Sequence, residues 1–421
     1  MTRRMRLLRG EVFRSLRHRN FRLFFTGQLI SQTGTWLSMV TQTLLVLRLT
    51  DSAVALGVLT ACQFGPMLLL GAWGGAVADR ADKRRLLVTV QSLAMAQSLV
   101  LGAIILTDHG TVAVIYALAL VQGVLNAFDN PARRAFVVEM VPAEDLPNAV
   151  SLNSAVMVGS RVVGPAAAGA LVLAVGYGWA FVIDGLSYAA VIAGLVLMRP
   201  DQLHRSAPTP RGKGQVRDGL RYIKAQPYLF VPLVMMAMIG TFAFNFQVTV
   251  PVLVEGTLGG GTGAFTLLFS VISLGSLVGA LQTARRTVVT ARQLVRSAAA
   301  FGITMALLAI SPSLLLAFPA GILLGLASIG FMTTSTAIVQ LLAGAEYRGR
   351  VLAVQAMVFL GSTPIGGPLV GWITDAAGPR AGMLVGAVAC LAAAAYGARA
   401  LDLDHLPEAP PTLDEPVTLA D

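Results

Sequence analysis

GGAVADRADKRRLL, residues 74–87, decides how this chain is read. Six of the seven residues from Asp79 to Arg85 are charged, whereas the stretch before them, Val54 to Ala78, carries no charge. A soluble domain has no reason for such an edge. A chain that leaves hydrocarbon, turns in water and re-enters has one, because a charge at the centre of a bilayer costs roughly 2.5–3.5 kcal/mol on insertion scales. The block is therefore expected to be a tight hairpin between two membrane-spanning helices.

The rest of the chain repeats the pattern. Its 421 residues are 55% hydrophobic and 12% charged, about half the charged share of an ordinary soluble domain. Charge-free runs recur at 54–78, 86–107, 162–183, 225–254, 256–284, 297–345, 351–374 and 381–398. A spanning helix needs about 20 apolar residues. The 297–345 run is long enough for two, with Ser311-Pro312-Ser313 as the turn between them. The expectation is an all-α membrane protein with twelve transmembrane helices at 22–47, 54–78, 86–106, 111–128, 149–175, 179–198, 228–254, 264–284, 295–311, 314–342, 350–374 and 381–401.

The net charge of +10 does not point to nucleic acid, because the basic residues are placed by topology. With the N-terminus inside, 28 of the 31 Lys and Arg fall in inside segments. Only Arg48 and Arg380 fall outside, and Arg161 lies within a span. This asymmetry predicts a cell-membrane protein with both termini cytoplasmic. The start, MTRRMRLLRGEVFRSLRHRN, is too charged for a cleaved signal peptide. It reads as a basic arm, either solvated or lying on the anionic inner leaflet near Phe13 to Phe21.

Other chemistries find no footing. No GxxxxGK[ST] offers a nucleotide site. His18, His109, His204 and His405 are scattered, and no His/Cys cluster suggests a metal. Cys62 and Cys390 read as packing residues. No cofactor and no enzymatic activity are expected, and the chain is expected to work as a monomer.

The chain also repeats itself. SRVVGPAAAGAL contains Gly164-Pro165 and Gly169, and PIGGPLVGWI contains Gly367-Pro368 and Gly371. Gly164 and Gly367 are 203 residues apart, and Gly75 and Gly279 are 204 apart. Two landmarks thus agree on a parallel repeat of six helices, the way transporters of the major facilitator type are built. The expected organisation is a cytoplasmic arm at 1–21, a six-helix bundle at 22–198, a linker at 199–227, a second bundle at 228–401 and a disordered tail at 402–421.

GGAVADRADKRR also resembles the major facilitator superfamily's loop between its second and third spans, through Gly75, Asp79, Arg80, Lys83 and Arg84, with Asp82 where Gly is usual. FRSLRHRNFRLFFTGQLISQTGTWL, LRLTDSAVALGVL, FDNPARRAFVVEMVPAEDLPNAVSLNSA and SRVVGPAAAGAL are similar to the bacterial branch of enterobactin exporters and macrolide-efflux-like permeases. The resemblance implies a role for the one acid that a purely topogenic hairpin would not need. Asp79 would latch onto the start of the eleventh span near Gly349–Val351 and pair with Arg133 or Arg134. The repeat makes that role one-sided, since Asp79 aligns with Thr283 while the second copy keeps Arg285 and Arg286. A topogenic loop with an incidental acid is the alternative. The Gly-Pro motif of the fifth span resembles an exporter signature thought to seal the cavity, with Ala168-Gly169 replacing a Gly pair. A plain kink is the competing reading. One departure touches coupling: where the family often carries Arg three residues before Gln122-Gly123, this chain has Ala119.

Polar residues within spans are the expected path for substrate. Gln28, Gln32, Thr35, Met39 and Gln42 share one face of the first span, with Trp36 beside it. On the seventh span, Asn245 is flanked by Phe242 and Phe246, with Thr241 and Thr249 a turn away on either side. Interhelical hydrogen bonding is the alternative use of these groups. Charged residues within spans are candidates for coupling: Asp184, Arg161, and Asp129 at the edge of the fourth span. The function expected is proton-coupled efflux of a small organic molecule such as a drug, siderophore or secondary metabolite. Uptake by the same fold and a non-transporting membrane sensor stay open.

Overall fold

The computed structural model describes residues 13–204, 215–284 and 289–403. The first part of the basic arm, residues 205–214 of the predicted linker, Arg285, Arg286 and nearly all of the tail lie outside the described residues. The helices are α1 (Arg19–Thr50), α2 (Ala53–Arg80), α3 (Lys83–Leu106), α4 (Val112–Glu139), α5 (Leu146–Val196), α6 (Gln215–Lys224), α7 (Pro227–Phe242), α8 (Phe246–Gly256), α9 (Thr262–Ala284), α10 (Ala291–Ala309), α11 (Leu314–Leu342), α12 (Ala345–Ala377) and α13 (Pro379–Ala400). No strand occurs among the described residues.

Local chemistry sets many of the edges. The Ser52 hydroxyl accepts from the N–H of Ala55, Asp82 from that of Arg85 and Thr111 from that of Val114. Each such cap satisfies a donor that the first turn leaves orphaned. Thr290 and Gln293 close a reciprocal capping box at α10. Nine helical stretches among the described residues are long and apolar enough to cross a membrane, with α7 and α8 counted together. α5 bends at Gly176, whose φ of 86° suits a residue without Cβ, and makes two passes. α1, diluted by its glutamines and threonines, and α10, which opens on Arg292 and Arg296, complete twelve passes. Leu69 and Leu315 are each 80% exposed, and Trp73, Trp179 and Trp372 also face outward. Such a surface is stable against lipid and not against water.

The packing repeats along with the sequence. α2 packs on α4, with Gly74 directly against the Ala127 carbonyl. In the second half α9 packs on α11 in the same way, with Gly275 against the Ile322 carbonyl and Gly279 close to Leu326. α1 packs on α5, and α7 on α12 and α13. Glycine stripes make these approaches possible, as small residues do wherever helices meet in a membrane. The halves meet chiefly where α2 packs on α12 and α5 on α9, and α8 also touches α1 and α2.

Three expectations need correction. The fourth span does not stop near residue 128. Pro131 is accommodated, so α4 runs on to Glu139 and carries Asp129 and Arg133 as buried interior residues. The seventh span is broken at residues 243–245. There the Asn245 amide donates to the Thr241 carbonyl (2.6 Å), displacing the backbone ladder, and the N–H of Phe244 reaches back five residues to Ile239 (3.2 Å). Finally, the arm from residue 13 onward does not lie loose. Arg14 and His18 both engage Asp145, and Ser15 donates to Asn148 (3.0 Å) and to the Asp145 carbonyl (3.1 Å).

Candidate functional site

The molecule has a basic end, where Arg22, Lys83 and Arg199 lie, and a far end, where α1 passes into α2. At the far end the two halves are bound together. Asp375, in the last turn of α12, receives the Ser52 hydroxyl (2.6 Å) and the backbone N–H groups of Ala53 (2.7 Å) and Val54 (3.0 Å). Its carboxylate thus occupies the N-terminus of α2, where both the orphan donors and the helix dipole favour an anion.

The Gly-Pro motif of α12 lies in this seam. A Cβ on Gly371 would stand 2.8 Å from the Ala53 carbonyl carbon and 2.9 Å from the Val54 Cα. Gly367 and Pro368 lie against Gly57, and Gly367 also against Thr60. In α5, Gly164 packs on Trp36 of α1, and Gly169 meets Thr266 of α9 across the halves. The two motifs are thus symmetry-related contact points between helices.

A polar network fills the first half. Asp129 pairs with Arg133 one turn along α4 and accepts from Gln91 (2.7 Å). Gln32, with its amide oxygen turned toward the guanidinium, accepts from Arg133. Thr35 and Tyr188 are joined hydroxyl to hydroxyl (3.2 Å), and Gln63 donates to Gln42 (3.0 Å). One turn before Tyr188 on α5, Asp184 accepts from Ser98 (2.8 Å). Its other oxygen faces Gly34 of α1 and makes no hydrogen bond among the described residues. Asp184 is 2% exposed. A buried carboxylate left half-satisfied is costly to keep charged. The glutamine stripe of α1 therefore belongs to this network, with Gln28 and Gln42 buried and Gln32, Thr35, Trp36 and Met39 half-buried. Cysteines at Gln32, Thr35 and Met39 are expected to react with a polar thiol reagent faster than cysteines at Leu37 or Leu44, which are nearly buried. Equal rates on both faces would remove the stripe from the path.

The second half contributes grease. Phe244 lies in the break between α7 and α8 and meets Phe301 (5.1 Å between centroids) and Phe359 (5.2 Å) edge to face. Phe244 and Phe359, with Phe246, Phe269 and Met332, line a cleft whose non-atom space, mouth included, is about 490 Å³, and Phe301 backs them. Arg161 of α5 closes that cleft from the first half, its guanidinium carbon 5.1 Å above the Trp36 ring. Asp184 and Arg161 thus have different partners. Phe242 does not line the cleft; its carbonyl packs on Gly386. Asn245 is buried against Gly366 of α12. The phenylalanines of α9, α10 and α12 escape a reading by sequence periodicity, because no single helix carries the cluster.

At the basic end, Lys83 pairs with Glu139 (2.7 Å), and Arg84 donates to the carbonyls of Leu195 (2.6 Å) and Val196 (2.8 Å) at the end of α5. These bonds tie the hairpin to its own half. Asp79 and Gly75 are half-buried, and Arg80 and Arg134 are exposed. Arg133 turns inward to Asp129. Gly349, near the predicted docking point of Asp79, has open space where a Cβ would stand.

Known proteins share this architecture. A sequence profile described as transmembrane secretion effector matches residues 11–410. The staphyloferrin A transporter of Staphylococcus aureus (strain NCTC 8325 / PS 47) is 26% identical over 367 residues, which is 84% of this chain and 89% of that one. YfiS of Bacillus subtilis (strain 168), an uncharacterized transporter of the major facilitator type, is 26% identical over 212 residues, covering 49% of this chain and 50% of its own. A crystal structure of a bacterial homologue of the human lysosomal transporter Spinster, inward-facing and unoccupied, superposes with a TM-score of 0.72 at 14% identity, covering 90% of this chain and 96% of that one. The twelve passes, the parallel repeat and a family match along nearly the whole length lead to one assignment: the chain belongs to the transmembrane secretion effector family of major facilitator transporters.

Proposed function

We propose that this protein exports a small organic molecule across the cell membrane by alternating access, driven by proton exchange. The observation that carries this reading is the asymmetry of the seam: the halves are clasped at the far end around a cleft that both halves line. With the basic end in the cytoplasm, that arrangement is an inward-facing state, loading from inside. The family's description as a secretion effector favours outward transport. The relative that carries staphyloferrin A favours an organic cargo of the siderophore kind. In the opposite state Asp79 docks at the start of α12 and Asp375 lets go. Expression in an exporter-deficient host tests the reading: resistance to some member of a compound panel should appear and vanish when the proton gradient is collapsed. No gradient-dependent efflux of any compound, in cells or in proteoliposomes, would sink it.

Coupling is assigned to Asp184. Its burial, its single donor Ser98 and its position on α5 beside Tyr188 suit a group that trades a proton as the halves move. Asp184→Asn keeps the shape and cannot exchange a proton at ordinary pH. Purified Asp184→Asn is expected to lose pH-driven transport by at least about tenfold, as removal of one proton-transfer group commonly does, while substrate exchange without a gradient persists. Unchanged pH-driven transport would move coupling elsewhere.

A further inference from the structure

We infer that the cleft beside Arg161 binds an organic monoanion: a carboxylate carried on a flat apolar body. The inference rests on the transport reading, since it names the cargo of that same cavity.

Three observations point to it. The first is charge. Arg161 lies midway along the first pass of α5 and is exposed to the cleft. Among the described residues no carboxylate pairs with it: Asp129 is committed to Arg133, and Asp184 to Ser98. Trp36 holds the guanidinium by a cation–π contact, which orients the charge without neutralising it. An uncompensated cation at this depth is costly and functional by default. One negative charge on a ligand cancels it, a neutral molecule leaves it, and a dianion replaces it with an excess of the opposite sign.

The second is donor supply. The serines of the cleft have spent their protons: Ser276 and Ser328 both donate to the Gly325 carbonyl (3.1 and 2.9 Å), and Ser273 donates to the Phe269 carbonyl (3.0 Å). The guanidinium remains as the donor, and its planar fork matches a carboxylate in two parallel bonds. The third is the opposite wall. Phe244, Phe246, Phe269, Phe359 and Met332 offer ring edges and a thioether to an apolar body.

The test is calorimetric titration of the full chain in lipid nanodiscs with 2-naphthoate and its neutral isostere 2-naphthamide. The wild type is expected to bind the acid at least tenfold more tightly than the amide. Arg161→Gln should bring the acid down to the level of the amide and leave the amide unchanged, which also reports that the variant is folded. Arg161→Lys should keep part of the preference, since it restores charge without the fork. Equal affinities in the wild type, binding of neither probe, or a preference that survives Arg161→Gln would each overturn the inference. Transport is read separately. Gradient-driven efflux of any compound by wild-type proteoliposomes upholds the transport reading whatever the acid does. An acid preference in a wild type that moves no compound upholds the site and defeats that reading.

Discussion

Asp375→Asn is expected to swing the resting population toward the outward-facing state. The substitution keeps one oxygen, which can hold at most two of the three donors now bound by the carboxylate, and removes the charge from the N-terminus of α2. An anion in a partly buried position there contributes about 1–2 kcal/mol, which changes a two-state ratio roughly 5- to 30-fold. Spin labels at His109 and Ser313, exposed on far-end loops of the two halves, should report a longer mean separation, measured with Cys62 and Cys390 replaced by alanine. Asp79→Asn, at the other end of α2, should shift the same distance the opposite way and cut transport sharply, while Thr283→Ala should do little. If Asp375→Asn leaves the distance distribution unchanged, the carboxylate caps a helix and latches nothing. If Asp79→Asn transports normally, the hairpin is topogenic with an incidental acid.

Gly371→Leu is expected to abolish turnover. A Cβ at this position meets the backbone of Ala53 and Val54, and backbone cannot step aside as a flexible side chain does. Overpacking of this sort costs about 1–3 kcal/mol even where neighbours relax. Here the relief available is separation of α2 from α12, which is failure of the far end to close. Transport should fall by more than about tenfold, while the fold survives because the α2–α4 and α9–α11 pairs within each half are untouched by the substitution. A cysteine at Gln42 should become more reactive toward an impermeant reagent added from the far side. Normal transport by a well-folded Gly371→Leu would show that the seam need not close at this point.

Much of the fold was legible because the membrane enforces it. Charge-free runs and the sidedness of arginine are imposed by the bilayer itself, so twelve passes and a parallel repeat follow from counting. Helix edges were less legible. Asp129 reads as an exit to water, yet the chain stays helical, Pro131 included, with Asp129 neutralised by Arg133 inside the half and satisfied by Gln91. The break at Asn245 was hidden, since a side-chain amide competing for the Thr241 carbonyl looks in sequence like one more polar residue on a helical face. Within the candidate site, the glutamines of α1, Asp184 and Arg161 stood out as rare polar residues in apolar runs. The phenylalanine wall did not, because aromatic residues are unremarkable in a membrane helix until four helices bring them together. Asp375 was missed for another reason: near the end of a span an acid reads as ordinary loop chemistry, and its partner lies more than 320 residues away in sequence.

The charged members of the interior all come from the first repeat, and the second supplies an aromatic wall. A duplicated six-helix unit has in this way become two specialised parts. Under the proposed cycle, exchanging a phenylalanine of that wall is expected to change which apolar body is accepted, while Arg161 keeps the preference for its charge.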